Sequence, residues 1–419
     1  MPATIDLVVN QHAELAAHLW GNRRLGATAP HWALRHLGRF DERVEANIDG
    51  LRVAGEAGWR ACEKLLEQED PGAAFVAGVL AIEAKDRARI GRLLSLAQAL
   101  PSAWAGLGSA IAWVSSAHLM DTVKALLETK STSLNRLGIT ACTMHRVDPG
   151  AFLDDAIAHG DSAIRVRALE AIGKLGRNAS LHAVLKATAD AEAGCRCWGA
   201  WSAVVLGDRG AALEALRDPC AKPSPHREAA MNVLLRAANL GAAHAVLRAI
   251  AQEEPKNTRI LIRGIGMVGD PHFVPWLMEQ MADPTVARIA GEAFSLITGV
   301  DLALLDLERR PPEDVELGPN DNSEDDDVGM DPDDGLPWPE PEKVRAWWDA
   351  NQQRFPTGVR HFMGEPPNSQ NCQRVLRDGY QRQRIAAALH LALLRPGAPL
   401  FPTSAPAWRQ KRWLARMSA

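Results

Sequence analysis

No stretch of about eighteen uncharged apolar residues occurs anywhere in the 419-residue sequence, so a membrane-spanning helix is not expected. The opening, MPATIDLVVNQHAEL, has neither the basic start nor the apolar core of a secretory leader, which makes the cytoplasm the expected location. Cysteine is scarce. The six, at 62, 142, 195, 197, 220 and 372, form no C-x-x-C, and a chain this long does not need disulfide staples. Cys195 and Cys197, two apart on a helix, point to different faces, so buried free thiols are expected. Positive charge is not in excess either: 47 Lys+Arg stand against 51 Asp+Glu, a formal net charge of −4, which weighs against a protein that coats nucleic acid.

Strand-like alternation is missing, as are H-E-x-x-H, G-x-S-x-G, a P-loop and the kinase signatures. The 13 His are scattered and none lies at metal-ligand spacing to a Cys. No catalytic, cofactor-binding or metal-binding residue is therefore nominated, and no cofactor is expected. A literal G-x-G-x-x-G at Gly264, Gly266 and Gly269 has meaning only between a strand and a helix. Here its glycines fall inside and at the end of a helical segment. Asp331-Pro332-Asp333-Asp334-Gly335 misses the oxygen spacing of an EF-hand loop.

What is present is ample apolar content, 47% of residues, in a chain too long for one ordinary core. The charge is segregated. From Glu313 to Asp334 there are 11 acidic residues and no basic one, whereas residues 340–419 hold 13 Lys+Arg against 5 acids. Four segments also end alike: IRVRALEAIGKLG at Gly176, CRCWGAWSAVVLG at Gly207, TRILIRGIGMVG at Gly269 and ARIAGEAFSLITG at Gly299. Their intervals are one or two multiples of about 31. The skipped member, HREAAMNVLLRAA, ends at Ala238, and counting backwards finds LNRLGITACTMH, GSAIAWV and VAGVLAIE. An Arg recurs near the start of these segments at Arg136, Arg165, Arg196, Arg227, Arg259 and Arg288, suited to pairing with a neighbouring Asp or an inter-repeat carbonyl. Between them lie amphipathic segments, SLHAVLKATAD, AALEALRD, AAHAVLRAIAQ and HFVPWLMEQMAD, ending in Asp or Pro as at Asp218-Pro219, Glu254-Pro255 and Asp283-Pro284.

The pattern predicts an all-α fold, an α-solenoid of about eight helix pairs, because a two-helix unit of about thirty residues cannot bury both its faces alone. The repeat is similar to short HEAT-like repeats. Four regions follow: a helical N-terminal cap at 1–70, the repeats at 71–305, an acidic, Pro-rich, solvated linker at 306–341, and a basic, Trp-containing helical region at 342–419. In the last, Trp347, Trp348, Arg382, Arg384, Trp408, Arg409 and Trp413 are the candidate partner-binding residues, since Trp and Arg are enriched in interface hot spots. The competing expectation is that the Trp dock these helices onto the repeats.

His12 through Leu19-Trp20 and Arg23, Asp41-Glu42-Arg43, Asp49-Gly50-Leu51, GDP at 269–271, AGEAFSLITGVDL at 290–302, RQRIAAAL at 382–389 and Pro399-Leu400-Phe401 together resemble a proteobacterial family of HEAT-like repeat proteins often encoded near type VI secretion genes. That resemblance implies an accessory, adaptor or chaperone-like role around secreted effectors, with a protein as partner. The sequence leaves oligomeric state open. An enzyme on a HEAT-like stack, lyase-like or DNA-glycosylase-like and working in a concave groove, is the alternative expectation. The near-neutral repeat region disfavours its nucleic-acid form. The solvated spacer is the favoured expectation for the acidic linker; the alternative weighed against it is that the linker folds over the basic helices and competes with an acidic partner.

Overall fold

The computed structural model describes residues 5–313, 315 and 331–418. Regular structure among them is helical, save one antiparallel two-residue ladder of β1 (Glu308–Arg309) and β2 (Trp338–Pro339). The first helices are α1 (Asp6–Gly26), α2 (Leu34–Ala54), α3 (Glu56–Leu66), α4 (Pro71–Glu83), α5 (Arg87–Ala99), α6 (Ala103–Trp113), α7 (Met120–Glu128), α8 (Thr132–His145), α9 (Ala151–Ile157) and α10 (Ser162–Leu175). They are followed by α11 (Leu181–Lys186), α12 (Ala193–Val205), α13 (Ala211–Ala215), α14 (Arg217–Ala221), α15 (Arg227–Ala237), α16 (Leu240–Glu253), α17 (Thr258–Val268), α18 (Val274–Gln280) and α19 (Ala287–Thr298). Beyond the ladder come α20 (Pro341–Asn351), α21 (Ser369–Asp378), α22 (Gln381–Leu394) and α23 (Ala407–Ser418).

Two compact units are formed. One holds residues 5–28, 32–183 and 399–418, the other 29–31 and the described part of 184–398. The chain after residue 341 thus divides between them: α20, α21 and α22 belong to the second unit and α23 to the first.

The recurring apolar segments form the inner helices. In the first unit α4, α6, α8 and α10 each pack on the next, and in the second α12, α15, α17 and α19 do the same. Being covered on both sides, they are apolar almost all round. In α4, residues from Gly72 to Val79 are all buried. The intervening segments are less regular. AAHAVLRAIAQ is one helix, α16, burying Ala243, Val246, Leu247 and Ile250 on one stripe. SLHAVLKATAD is α11 flanked by 3-10 turns, and AALEALRD is split between α13 and α14. Asp218 and Pro219 sit in the first turn of α14, a place where proline's missing N–H costs nothing.

Gly176, Gly269 and Gly299 end α10, α17 and α19 in the left-handed conformation, with φ of 70°, 72° and 74°. At the equivalent position Ala238 is extended, φ −67°, as suits a residue with a Cβ. Gly269 has a second constraint: a Cβ there would lie 2.2 Å from the carbonyl oxygen of His361, whose own N–H donates to the Gly269 carbonyl at 2.7 Å.

The aromatic residues anchor both cores. Phe75 stacks on Trp20 at 5.3 Å and meets the edge of Trp113 at 5.5 Å. In the second unit, Phe294 of α19 takes Trp347 and Trp348 of α20 edge-on at 5.8 and 6.4 Å. The linker expected to be solvated is packed at its described C-terminal end, where Asp333 and Trp338 are buried. The acidic run Glu324–Asp327 lies outside the described residues.

Gly269→Ala should therefore lower stability by more than about 2 kcal/mol, from left-handed strain plus the clash. Gly21→Ala, inside α1 with open space around it, should raise stability by up to about 1 kcal/mol. Urea unfolding of the two variants beside the wild type checks both signs.

Candidate functional site

Each inter-helix turn leaves carbonyls without an intrahelical partner, and the recurring arginines meet several of them. Arg165 donates to the carbonyls of His159 and Gly160 at 3.0 and 3.1 Å. One period later, Arg196 donates to Asp190 and Ala191 at 2.8 and 2.6 Å, and another period on, Arg227 donates to Cys220 and Ala221 at 3.0 and 3.1 Å. Carboxylates join the carbonyls from Arg227 on: Arg227 also pairs with Glu254, Arg259 makes a two-pronged bond to the Asp333 carboxylate, and Arg288 pairs with Asp331 at 2.7 Å, donates to the Asp333 carbonyl at 3.1 Å and lies over the Trp338 ring. Arg136, on α8, leaves its buried Nε without a hydrogen-bond partner among the described residues. Asp331 and Asp333 thus serve as anchors for arginine.

Arginines also fix the last residues of the chain in the first unit. Arg23 bonds Asp41 at 2.8 Å and the carbonyls of Ser404 and Ala405 at 2.7 and 2.9 Å, while Asp41 accepts the Ala407 N–H at 2.5 Å. Burial pushes the Asp41 carboxyl up against the pull of Arg23. Arg146 donates to the Leu400 carbonyl, and Arg409 holds the carbonyls of Ala112, Trp113 and Val114 that end α6.

The candidate partner-binding residues divide between the two units. Trp347, Trp348, Arg382 and Arg384 belong to the second unit, and Trp408, Arg409 and Trp413 to the first. Trp348, Arg384 and Arg409 are buried. Arg384 donates to the Leu376 carbonyl at 2.7 Å, and Arg382 pairs with Glu292 at 3.0 Å. Trp413 meets Phe401 edge-on at 6.4 Å. Trp408 is the outward member at 40% exposed, with Arg409 and Arg412 against its ring.

Beside Trp408 lies a groove of about 550 Å³ lined by Glu42, Glu45, Asp49, Glu83, Trp113 and Lys411, among others. Its floor is fixed. Arg52 bridges Glu45, Asp49 and Glu83, and Trp113 donates its indole N–H to Glu45 at 2.9 Å. Those carboxylates hold the Arg52 guanidinium above its ordinary pKa despite its burial. Glu42 is exposed at the rim. The groove is chemically suited to hold a side chain with an apolar stem and a cationic head against Trp408 and the carboxylates.

All six cysteines are free and buried; burial pushes the thiols of Cys62 and Cys372 up to about 12 and those of Cys142 and Cys197 to about 11, away from thiolate chemistry. Gly264 and Gly266 are packing positions, where a Cβ would press on Leu247 and on Ala293. Among the described residues no group of three or more His, Cys, Asp or Glu is placed to hold a metal ion.

Sequence reading missed the groove carboxylates of α2, because an acidic stripe on an amphipathic helix reads as solvated surface. It also missed Glu292, Asp301 and Tyr380, which line a cavity in the second unit. Tyr380, the only tyrosine in the chain, was the one compositional signal for it. No family model matches the chain, and no curated protein is significantly similar to it.

His145 gives a test of the first unit. Its Nε2 lies 2.7 Å from the Ile111 carbonyl, and burial with nearby Arg409 lowers its pKa from 6.5 to about 4. The folded value is below the unfolded one, so the stability held by the neutral ring is complete above about pH 6.5 and lost as pH falls through about 4. His145→Gln should shrink the drop in urea midpoint between neutral pH and pH near 4.5, measured against wild type.

Proposed function

We propose that the protein is a non-enzymatic interaction scaffold, an α-solenoid of about eight HEAT-like helix pairs whose surface holds a protein partner, in an accessory or adaptor role around type VI secretion effectors in the cytoplasm. Support for the repeat comes from the ordered packing of the inner helices within each unit and from arginines that repeat the same turn-carbonyl bonds one period apart. The resemblance stated above supports the secretion context, and among the described residues no helix is long and apolar enough to cross a membrane. The observation that carries the scaffold reading is the open groove beside Trp408. An outward tryptophan stands next to a rigid, arginine-braced acidic floor, an arrangement suited to anchoring a partner's side chain without chemistry on it.

The test is affinity capture of the tagged full chain from its native host, identification of the retained protein, and titration of that protein, purified, against wild type and Trp408→Ala. A retained partner whose affinity falls at least tenfold in the variant, about 1.4 kcal/mol, is the expected result. A chain that retains no protein beyond the tag control overturns the reading.

A further inference from the structure

Two polar side chains in the second unit are buried yet short of partners: Arg236, 7% exposed in the last turn of α15, and His390, 5% exposed on α22, which packs on α15. Arg236 uses only Nη1, which donates within its own helix to the main-chain and side-chain oxygens of Asn232 at 3.0 and 2.8 Å. Its Nε is enclosed without a hydrogen-bond partner, and neither its Nη2 nor a ring nitrogen of His390 makes a hydrogen bond among the described residues. The Nε–H and Nη2–H bonds leave the planar guanidinium side by side, so the unused edge is the two-pronged one with which arginine grips anions. The charge that bears on Arg236 is a second cation, Arg360. Arg360 lays its guanidinium on the carbonyls of Leu235, Arg236 and Ala238, and two residues on, the Phe362 ring meets that of His390 at 4.7 Å. The chain at 360–362 thus runs from the end of α15 to His390. Asp270, the carboxylate whose field reaches Arg360, is committed elsewhere: its Oδ1 accepts the N–H groups of His272 and Gly358 at 3.0 and 3.2 Å, and its Oδ2 lies 3.0 Å from His244 Nε2. Two guanidinium charges against one carboxylate leave this interior with one positive charge in excess, and an uncompensated buried charge is costly. Burial, with Arg236 and Arg360, holds the His390 imidazole well below its ordinary pKa, so the ring is neutral and brings one N–H donor without a further charge.

The balance of charge and the burial select among anions. One excess charge matches a monovalent ion, whereas a phosphate dianion reverses the imbalance and brings a tetrahedral bulk among side chains that already exclude solvent. A carboxylate brings a carbon tail that must be enclosed as well. A halide is small and spherical, so it fits the fork of one guanidinium and takes a further hydrogen bond from an imidazole in whatever direction that N–H points. We propose that the unused Nε–Nη2 edge of Arg236, together with the His390 ring, binds a chloride ion inside the second unit, between α15 and α22. The bound ion neutralises the charge beside the segment that carries Arg360 and so helps hold that segment onto the ends of α15 and α17. The proposal does not depend on the scaffold reading, since the groove beside Trp408 belongs to the other unit.

The experiment is thermal unfolding of the full chain in sodium chloride and in sodium gluconate, whose anion is too bulky for the site, at equal ionic strength, with NMR line broadening of the chloride resonance as a direct measure of binding. A saturable rise in midpoint specific to chloride, and chloride broadening that bromide displaces, are the expected results for the wild type. Arg236→Met keeps the apolar stem and removes the fork, and should weaken chloride binding about tenfold or more. His390→Leu should weaken it several-fold, and it makes the same comparison if the Arg236 variant does not fold. Three outcomes overturn the proposal: equal midpoints in the two salts, no chloride broadening by the wild type, or chloride effects undiminished in the folded variants.

Discussion

The guanidinium-to-carbonyl hydrogen bond is the interaction on which the rest of the structure depends. A chain folded into many short helices makes a turn every dozen residues or so, and each helix end exposes carbonyls that the helix itself cannot satisfy. Burying those ends without partners would cost about 1–3 kcal/mol per group. Arginine solves this better than lysine, because its planar fork reaches two or three carbonyls at once and stays charged when buried. Arg360 shows the limit of the device: it bonds the carbonyls of Leu235, Arg236 and Ala238 at the end of α15 and that of Val268 at the end of α17. Burial lowers the pKa of Arg146, Arg360, Arg384 and Arg409 to about 10 and of Arg236 to about 9, so all five remain cations at neutral pH.

This changes what the basic C-terminal sequence means. The excess of Lys+Arg after residue 340 reads as a cationic surface for an acidic partner. In the structure, Arg360, Arg384 and Arg409 are engaged by main-chain carbonyls and Arg382 by Glu292. Much of the positive charge is therefore structural, and the outward chemistry of the first unit's groove is acidic and aromatic. Arg409 and Trp408 are adjacent in sequence yet divide these tasks, one holding the end of α6 and the other facing outward.

The period of about 31 residues made the inner helices legible, together with the left-handed glycine caps at 176, 269 and 299. Composition located the apolar layer because residues packed on two sides must be apolar on both. What stayed hidden depends on contacts between residues far apart in the chain. Arg259 meets Asp333, 74 residues on, and Asp41 meets Ala407, 366 residues on. No local pattern encodes either pairing. Asp331 and Asp333 look like solvated acids because they follow an acidic run, and only Arg259 and Arg288 make the burial of Asp333 and the half-burial of Asp331 tolerable. The carboxylates of the groove and of the cavity were unreadable for the converse reason: on one helix face or one turn they are ordinary surface residues, and only the fold decides which of them share a wall.

The growing share of carboxylate partners along the arginine series, from Glu254 at Arg227 to Asp333 and Asp331 at Arg259 and Arg288, has its own logic. Arg165, Arg196 and Arg227 reach back to turns five to seven residues before them, so local chain geometry suffices to place the acceptor. For Arg259 and Arg288 the acceptors come from 331–333, and a segment recruited from a distance must hold itself in place. A carboxylate does this more strongly than a carbonyl, since both partners are charged and the bond to arginine can be two-pronged. The neighbouring ladder of β1 with β2 and the Trp338 ring under Arg288 complete the attachment, tying the two described ends of an acidic stretch to the last inner helix. The aspartates nearest the helices are thus neutralised by the repeat's own arginines, and the β2 strand that follows them packs on α19, the helix that also supplies Glu292 to the cavity wall.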